Sequence, residues 1–396
     1  MPTPDPIVIA GCARTPIGGF QGDLKDFSAP ELGSIAIRAA VERAGIQGES
    51  IQEVFFGCVL PAGLGQAPAR QAALGAGLPQ SAGATTINKV CGSGMKAVML
   101  AHDLIRAGSL EIAVAGGMES MSNAPYLLDR ARSGYRLGHQ RVFDHMFLDG
   151  LEDAYDRGCL MGTFAEKCAQ AYSFTREEQD AFALRSLGRA QKAISEGSFS
   201  EEIVPVTVKS GKTERQVEHD ELPLKAKPEK IPTLKPAFDE NGTVTAANSS
   251  SISDGAAALV LMRRSEAERR GAEPLATIAG HATFAQAPDL FTTAPIGAIR
   301  KLAERTGWAL GDADLFEINE AFAVVAMAAM RDLQLPAGIV NVHGGACALG
   351  HPIGASGARI LVTLLAALRK HGLKRGIAAL CIGGGEATAV AIERVG

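Results

Sequence analysis

A cysteine flanked by glycines is the first residue of the sequence that could do covalent chemistry. Cys91 lies in the segment 88–96 (NKVCGSGMK), directly before an apolar pattern that predicts a helix. At a helix N-terminus, unpaired backbone N–H groups and the helix dipole favour a thiolate, the nucleophilic form of cysteine. Gly92 and Gly94 leave backbone amides free to approach a carbonyl oxygen, as an oxyanion site requires. The plain alternative for Cys91 is a small buried side chain.

A histidine among small residues is a candidate partner for this cysteine. His351 lies in the segment 344–357 (GGACALGHPIGASG), ahead of a second predicted helix. An imidazole beside a thiol can accept its proton, so His351 could be the base for Cys91 if the fold brings them together. Taken alone, the histidine is better explained as an ordinary core or surface residue.

Two further candidates lie at the ends of predicted strands. Cys381 ends an apolar strand before a glycine triplet, and Asn319 follows the predicted strand 315–318. Ligand sites in α/β sheets lie at the carboxyl ends of strands, so both residues could belong to a site. The alternatives are a buried strand cysteine for Cys381 and a helix N-cap for Asn319, and a capping Asn319 could still make a polar contact there.

The chain repeats itself once. The segment 42–45 (ERAG) is echoed by 304–307 (ERTG), an offset of 262 residues. Ser93 opens an apolar helical pattern that leads to the strand 112–117, and Ser356, offset by 263 residues, opens another that leads to 377–384.

Short strands that alternate with helices predict parallel sheets covered by helices. The repeat therefore predicts two related α/β halves. A pseudo-twofold axis between them would place the glycine turns of Cys91 and His351 near each other at the centre.

A more charged and irregular stretch separates the two copies. We predict an inserted loop domain at 122–250, an N-terminal half formed by 1–121 with 251–273, and a C-terminal half at 274–396. Within the insertion, Thr175 and Glu178 have the spacing of a capping box before periodic apolar residues, which predicts a helix.

The insertion also carries a lysine-rich stretch at 209–235. Its seven basic residues outnumber five acidic ones and are Lys209, Lys212, Arg215, Lys225, Lys227, Lys230 and Lys235. A solvated loop is the plain interpretation, and contact with the phosphate-bearing tail of a substrate is the sharper one.

Composition narrows the class of function. With 39 Lys and Arg against 43 Asp and Glu, the formal net charge is −4, so no overall positive field attracts nucleic acid or an acidic membrane surface. The first 16 residues lack the features of a signal peptide, and no segment approaches the roughly 18 apolar residues of a membrane span. Seven scattered cysteines without a C-x-x-C pair indicate reduced thiols. We therefore expect small-molecule chemistry in the cytoplasm, without nucleic-acid or membrane partners.

Taken together, the motifs resemble those of the thiolase family, the acetyl-CoA C-acyltransferases. The resemblance covers nearly the whole chain and is carried by the segments 90–94 (VCGSG), 319–323 (NEAFA), 350–359 (GHPIGASGAR) and 380–385 (LCIGGG). It implies duplicated α/β halves in helix–sheet–helix layers, with an inserted loop domain that binds coenzyme A (CoA).

The resemblance implies a role for each candidate residue. Cys91 takes the acyl group from acyl-CoA and His351 receives its proton, which gives an acyl thioester. Cys381 removes the α-proton of a second acetyl-CoA in condensation, or protonates the enolate in thiolysis. His351 and a water held by Asn319 stabilise the enolate oxygen, and the backbone N–H groups of Cys91 and Gly383 stabilise the tetrahedral oxyanion. No metal or redox cofactor is implied.

Contacts with the pantetheine arm of CoA are implied at Met161, Phe238, Ala247, Ser250, Ala321 and Phe322. The chain departs from short-chain acetoacetyl-CoA thiolases at Leu160, where His is usual, at Phe291, where Met is common, and at 222–224, which usually offers an Arg. The first two bear on acyl chain length. The third bears on the CoA phosphate contact, for which the chain offers Lys225, Lys227 and Lys230. Glu386 is also unusual, and we expect it to lie outside the site.

The form of the segment 350–357 is more similar to biosynthetic acetyl-CoA acetyltransferases than to long-chain β-oxidation enzymes. The expected reaction is therefore the reversible Claisen condensation of two acetyl-CoA to acetoacetyl-CoA and CoA. The alternatives are a 3-ketoacyl-CoA thiolase of broader chain length and an inactive acyl-CoA-binding scaffold. Related enzymes are dimers or tetramers, and we expect a homo-oligomer here.

Two other classes fit the residues less well. A decarboxylating ketosynthase of related fold uses two histidines with its cysteine, whereas this chain has Asn319 and Cys381 at the corresponding places. A dinucleotide-binding turn at 92–97 is disfavoured because the preceding segment, 85–90, is polar.

Overall fold

The computed structural model describes residues 5–211 and 213–396. Lys212 of the lysine-rich stretch and the first four residues of the N-terminal segment lie outside the described residues. The described strands are β1 (Ile7–Arg14), β2 (Gly18–Gly19), β3 (Glu53–Gly57), β4 (Gly83–Ile87), β5 (Ile112–Ser120), β6 (Tyr126–Leu127), β7 (Phe143–Asp144), β8 (Val206–Ser210), β9 (Thr213–Val217), β10 (Ser253–Arg263), β11 (Ala276–Ala285), β12 (Leu315–Ile318), β13 (Arg375–Ile382) and β14 (Glu386–Arg394). The described α-helices are α1 (Ala29–Arg43), α2 (Pro68–Gly75), α3 (Ser93–Ala107), α4 (Met161–Tyr172), α5 (Arg176–Ser195), α6 (Glu221–Lys225), α7 (Arg264–Arg270), α8 (Ala294–Thr306), α9 (Ala323–Asp332), α10 (Ala346–Leu349) and α11 (Ile353–Lys370).

One large mixed sheet joins the two halves. Its strand order is β12-β13-β14-β11-β1-β10-β5-β3-β4, with β2 paired to β10. The prediction of parallel sheets is wrong for most of it, because only the pairs β3–β4, β3–β5 and β12–β13 are parallel among the strands described in this sheet. A three-residue glycine turn between β13 and β14 is too short for a parallel crossover, so these strands run antiparallel.

The structure confirms the duplication. Helices α1 and α8 are each followed by a glycine with left-handed backbone, Gly45 at φ 66° and Gly307 at φ 71°. In the N-terminal half, β5 pairs parallel with β3 and antiparallel with β10. In the C-terminal half, β13 pairs parallel with β12 and antiparallel with β14. The same unit is therefore built twice.

Buried side chains of the two matching strands alternate between different cores. Ala115 of β5 and Leu380 of β13 belong to one central cluster, which also contains the buried faces of α3 and α11. Val114 belongs instead to a cluster with α1 and α2, and Ala379 to a cluster with α8 and α9. Because side chains alternate along a strand, each half of the sheet is covered on both faces. The predicted helix–sheet–helix layers are confirmed, with α3 and α11 shared in the middle.

Glycines let α3 and α11 approach backbone to backbone. A Cβ on Gly357 would lie 2.5 Å from the backbone nitrogen of Met95. A Cβ on Gly94 would lie 2.9 Å from the backbone nitrogen of Ala358 and 3.0 Å from the carbonyl oxygen of Gly354. The two helices that follow the candidate cysteine and histidine thus meet where neither can carry a side chain.

Three local predictions need correction. Helix α11 begins at Ile353, not at Ser356, because Pro352 has the φ of −65° that suits a helix start and the helix follows it directly. Strand β13 ends at Ile382, since the glycines after it turn the chain. Asn319 is not a helix N-cap, because α9 begins four residues later.

The segment between the halves packs against the C-terminal half and β1. Helix α5 has the predicted capping box, in which Thr175 Oγ1 accepts from the Glu178 amide and the Glu178 carboxylate accepts from the Thr175 amide. The buried Arg14 guanidinium on β1 donates to Glu202 at 2.6 Å and to Asp220 at 2.7 Å, which ties the segment to the sheet.

The domain bounds, 1–121 with 251–273, 122–250 and 274–396, stay a prediction.

Within the two described ranges, none of the helices combines the length and the apolar character that a bilayer crossing needs.

The glycine contact between α3 and α11 predicts a large difference between two glycine-to-alanine variants. Gly357→Ala is expected to lower the free energy of unfolding by about 1–3 kcal/mol, because its new Cβ meets backbone that has no free space to move into. Gly188→Ala in α5 is the matched control, since no atom beyond the adjoining residues and backbone of its own helix lies within 4 Å of its Cβ and alanine favours helix. Denaturant unfolding followed by circular dichroism measures both. Equal stability of the two variants would contradict this packing.

Candidate active site

A cavity of about 530 Å³ lies where the two halves and the inserted segment meet. Cys91, His351 and Gly383 all line it, so the structure brings the candidate nucleophile and base into one space. The rest of its wall is mainly apolar and includes Phe20, Phe147, Leu151, Leu160, Met161, Leu222, Phe238, Ile252, Phe291 and Phe322. A concave apolar space with a few convergent polar groups is typical of a small-molecule site.

Cys91 lies in a tight turn directly before α3. Val90 has φ 46°, a left-handed conformation that is unfavourable for a β-branched residue. Ser93 holds the turn, because its hydroxyl donates to the Val90 carbonyl at 2.6 Å and accepts from the Lys89 amide at 2.8 Å. Backbone strain of this kind persists only where the surroundings hold it, and it is common at functional sites.

The Cys91 sulfur is a thiol in this environment. Burial raises its pKa to about 11, and hydrogen bonds from the backbone N–H groups of Gly383 and of Cys91 itself oppose that rise only in part. The sequence suggested a thiolate at the helix N-terminus, but desolvation outweighs the helix. Cys91 therefore needs a base to become a nucleophile.

His351 has the tautomer that such a base needs. Because the Ser356 hydroxyl donates to the Pro352 carbonyl at 2.9 Å, we assign the short 2.5 Å contact between Ser356 Oγ and His351 Nδ1 as a bond donated by Nδ1–H. The lone pair is then on Nε2, which is buried and has no partner among the described residues. Burial, helped by the charge of Arg359, lowers the pKa of His351 to about 3. The imidazole is neutral and ready to accept a proton.

Cys381 lies near the Cys91 sulfur, and neither Cys381 nor Asn319 lines the cavity. The Cys381 thiol is fully buried on β13, and burial together with the nearby Cys91 sulfur raises its pKa well above the ordinary value. Asn319 is 1% exposed, yet neither atom of its carboxamide has a partner among the described residues. Buried polar atoms are normally hydrogen-bonded, so this carboxamide is suited to hold a water or a ligand oxygen.

Two buried glutamates that sequence reasoning did not assign hold the site together. Glu119, at the end of β5, accepts from the amides of Val59 at 3.0 Å, Leu60 at 3.1 Å and Gly354 at 2.9 Å, and so ties the His351 segment to the N-terminal half. Glu320 accepts from Ser186 at 2.7 Å, Asn341 at 2.8 Å and the Cys347 amide at 3.1 Å, next to Asn319. Burial raises the pKa of Glu119 to about 7 and also raises that of Glu320. The sequence did offer a signal for Glu119, which is a lone acidic residue at the end of an apolar, glycine-rich strand.

The implied CoA contacts divide between two adjoining cavities. Those that line the Cys91 cavity are Met161, Phe238, Ser250, Ala321 and Phe322. Ala247 instead lines a neighbouring cavity of about 360 Å³, together with Lys225, Lys227 and Lys230. The two cavities share Leu222, Ala246 and Ser251, so one adjoins the other.

The residues that depart from the short-chain pattern have definite places. Leu160 and Phe291 both line the Cys91 cavity, and the Phe291 ring packs edge-on against the Phe322 ring at 6.4 Å between centroids. Glu386 does not line the cavity, but its carboxylate forms an ion pair with Lys89, two residues before Cys91. It therefore connects the strand after Gly383 to the turn of the nucleophile.

Several known proteins are similar to this chain over nearly its whole length. Acetyl-CoA acetyltransferase 1 of Arabidopsis thaliana is 53% identical over 394 residues, which cover 98% of this chain and 94% of that protein. An acetyl-CoA acetyltransferase of Rhizobium meliloti is 49% identical and covers 98% of this chain and 99% of its own. The crystal structure of the Bacillus anthracis acetyl-CoA acetyltransferase superposes with a TM-score of 0.96 at 43% identity, over 99% of both chains.

A thiolase from Ascaris suum, solved in complex with coenzyme A, superposes with a TM-score of 0.93 at 41% identity, over 98% of this chain and 100% of that one. The family model of the thiolase N-terminal domain matches residues 7–265, and that of the thiolase C-terminal domain matches residues 272–394. With its duplicated halves and with cysteine and histidine in one cavity, the chain belongs to the thiolase family.

Proposed function

We propose that this protein is an acetyl-CoA acetyltransferase, which condenses two acetyl-CoA to acetoacetyl-CoA and CoA and catalyses the reverse thiolysis. The observation that carries the proposal is the shared cavity of the Cys91 thiol and the unpartnered Nε2 of His351, with the Cys381 thiol beside it. Relatives about half identical to this chain are named acetyl-CoA acetyltransferase, which favours this reaction over a 3-ketoacyl-CoA thiolase of broader chain length.

The first half-reaction is acyl transfer to Cys91. His351 Nε2 accepts the thiol proton, and the sulfur attacks the thioester carbonyl of acetyl-CoA. The backbone N–H groups of Cys91 and Gly383, which contact the sulfur at rest, are placed to stabilise the tetrahedral oxyanion. The C–S bond to CoA then breaks, and the proton on His351 leaves with the CoA thiol.

The second half-reaction forms the carbon–carbon bond. His351 Nε2, free again, accepts the proton of Cys381. The resulting Cys381 thiolate, a strong base because its pKa is raised, removes the α-proton of a second acetyl-CoA. The Nε2–H of the protonated His351 and a water held by Asn319 donate hydrogen bonds to the enolate oxygen. The enolate carbon attacks the acetyl-Cys91 carbonyl, the Cys91 sulfur leaves and takes the proton of His351, and Cys381 keeps the α-proton.

Coenzyme A extends from the Cys91 cavity into the adjoining one. The pantetheine arm lies against Met161, Phe238, Ser250, Ala321 and Phe322, and Ala247 lines the next cavity along this path. Lys225, Lys227 and Lys230 line that cavity too and offer ammonium groups to the CoA phosphates. No metal or redox cofactor takes part in the proposed steps.

The protein is further proposed to be a homodimer or homotetramer of the cytoplasm that acts in lipid metabolism, as the family resemblance implies. Strand β4 supports self-association, since it lies at the edge of the sheet with no strand on its outer side among the described residues. Such an open edge can pair with a second copy.

The proposal predicts a covalent acetyl-enzyme on Cys91. Brief exposure of the reduced protein to acetyl-CoA should add one acetyl group to the parent and none to Cys91→Ala, measured by intact mass. Cys381→Ala should still be acetylated, since Cys381 acts only in the second half-reaction, but its rate of thiolysis should fall at least about 100-fold.

Two results would contradict this scheme. Acetylation of Cys91→Ala would place the nucleophile elsewhere. Much faster thiolysis of a longer 3-ketoacyl-CoA than of acetoacetyl-CoA would favour the broader-chain alternative and would direct attention to Leu160 and Phe291, which line the cavity.

The neutral resting pair predicts a flat pH dependence of acylation. As the pH falls to about 5, His351 stays deprotonated because its pKa is lowered to about 3. As the pH rises to about 8, Cys91 stays a thiol because its pKa is raised to about 11. Rapid-quench acetylation of Cys91 should thus be constant between these limits. Loss of rate with a midpoint near pH 6.5, while circular dichroism shows the fold intact, would indicate an ordinary exposed histidine.

The Lys89–Glu386 pair predicts a rate effect without a large stability effect. Glu386→Gln is expected to slow Cys91 acylation by about 2- to 10-fold, because the pair aligns the Cys91 turn with the Gly383 amide. Stability should change by less than about 1 kcal/mol, since the pair is partly exposed. Glu393→Gln is the control and should leave the rate unchanged, because Glu393 is a similarly exposed carboxylate on the same strand that pairs with Lys374 and Arg375 instead. Equal rates for both variants would rule out the alignment role.

A further inference from the structure

Three potential metal ligands converge on one point where α3 contacts β11. His102 Nδ1 and His281 Nε2 lie 3.2 Å apart, and Asp103 Oδ1 lies 3.1 Å from the first and 2.9 Å from the second. His102 is buried, His281 is partly buried, and the Asp103 side chain is 54% exposed. Among the described residues, this is the one group of three such side chains whose ligand atoms all lie within 4.8 Å of one another.

We propose that His102, Asp103 and His281 form a binding site for a divalent transition-metal ion of the Zn²⁺ type. Zn²⁺ binds His and Asp at about 2.0–2.2 Å in tetrahedral geometry, which places its ligand atoms roughly 3.3–3.5 Å apart. The observed triangle, with sides of 2.9 to 3.2 Å, needs to widen by only a few tenths of an ångström. Two imidazoles with one carboxylate suit this class of ion better than Mg²⁺ or Ca²⁺, which prefer oxygen ligands.

The charge states of the three ligands suit a divalent cation. Burial lowers the pKa of His102 and of His281, so both imidazoles are neutral, and metal binding needs only a shift of each ring proton to the nitrogen that faces away from Asp103. Burial acts to raise the pKa of Asp103, but His281 and hydrogen bonds from both imidazoles lower it overall, so the carboxylate is charged. The exposed side of Asp103 leaves room for water as a fourth ligand.

Nearby cations determine how tightly such an ion is held. The charges of Lys96 and Arg305 act on His281, and that of Arg106 acts on His102. Each opposes a bound cation, and Asp103 supplies the one anionic group of the ligand set. The site is therefore suited to an exchangeable ion rather than to one that is permanently retained.

The ion would link the two halves without touching the reacting groups. His102 lies 11 residues after Cys91, and nine of those steps fall within α3, which places it roughly 14 Å along the helix axis from the start of that helix. His281 belongs to β11 of the C-terminal half. A ligand that binds only the folded state stabilises it, so the expected consequence is resistance to unfolding and not a change in chemistry.

Zinc binding by matched variants tests the site. The full-length protein is treated with chelator, dialysed and titrated with ZnCl₂ alone, and bound zinc per chain and the midpoint of thermal unfolding are measured. The parent should bind one more zinc per chain than Asp103→Asn and His281→Gln, and its midpoint should rise by several degrees. His219→Ala, which removes an exposed histidine elsewhere, is the control and should behave like the parent.

Every cysteine is retained in all four proteins, so zinc bound to thiols cancels in the comparison. Asp103→Asn changes a half-exposed side chain and decides the question by itself if His281→Gln does not fold. Without zinc, its thiolysis rate should be within about twofold of the parent, since the residue is remote from Cys91. Equal zinc per chain and equal thermal shifts in the parent and Asp103→Asn would overturn the proposal.

Discussion

The backbone contact between α3 and α11 is the constraint on which the active site depends. Each helix follows a segment that carries one reacting group, and Gly357 lies so close to Met95 that a side chain there has no space. The distance between Cys91 and His351 is thereby set by main-chain packing, which is stiffer than contact between side chains. Glu119 adds a second tie, since one carboxylate accepts amides from both halves.

Burial then determines the chemical state of the groups so positioned. It disfavours charge on both partners, raising the pKa of Cys91 to about 11 and lowering that of His351 to about 3. The neutral pair is the stable resting state, and charge develops only when proton transfer and attack on a thioester occur together. The proposed reaction uses the Gly383 amide, which donates to the Cys91 sulfur, and the Asn319 carboxamide, which has no partner among the described residues, to stabilise that charge.

The features that distinguish this chain lie around that shared centre. Leu160 and Phe291 make the wall of the cavity apolar, and the three lysines of the adjoining cavity belong to the charged stretch of the insertion. The plain interpretation of that stretch, a solvated loop, holds for Lys209, whose ammonium group pairs with Glu214 in an exposed hairpin. Local charge alone did not distinguish lysines of an exposed loop from lysines that line a cavity.

The sequence alone predicted the duplication, the layered α/β class and the candidates Cys91, His351, Cys381 and Asn319. It could do so because glycine spacing and apolar periodicity are local properties. Only the tertiary structure determined strand direction, the neutral state of Cys91 and the tautomer of His351. Each of these depends on burial or on a partner that the fold brings close. The cluster of His102, Asp103 and His281 shows the same limit. His281 lies 178 residues after Asp103 in the sequence, and only packing of α3 against β11 makes them neighbours.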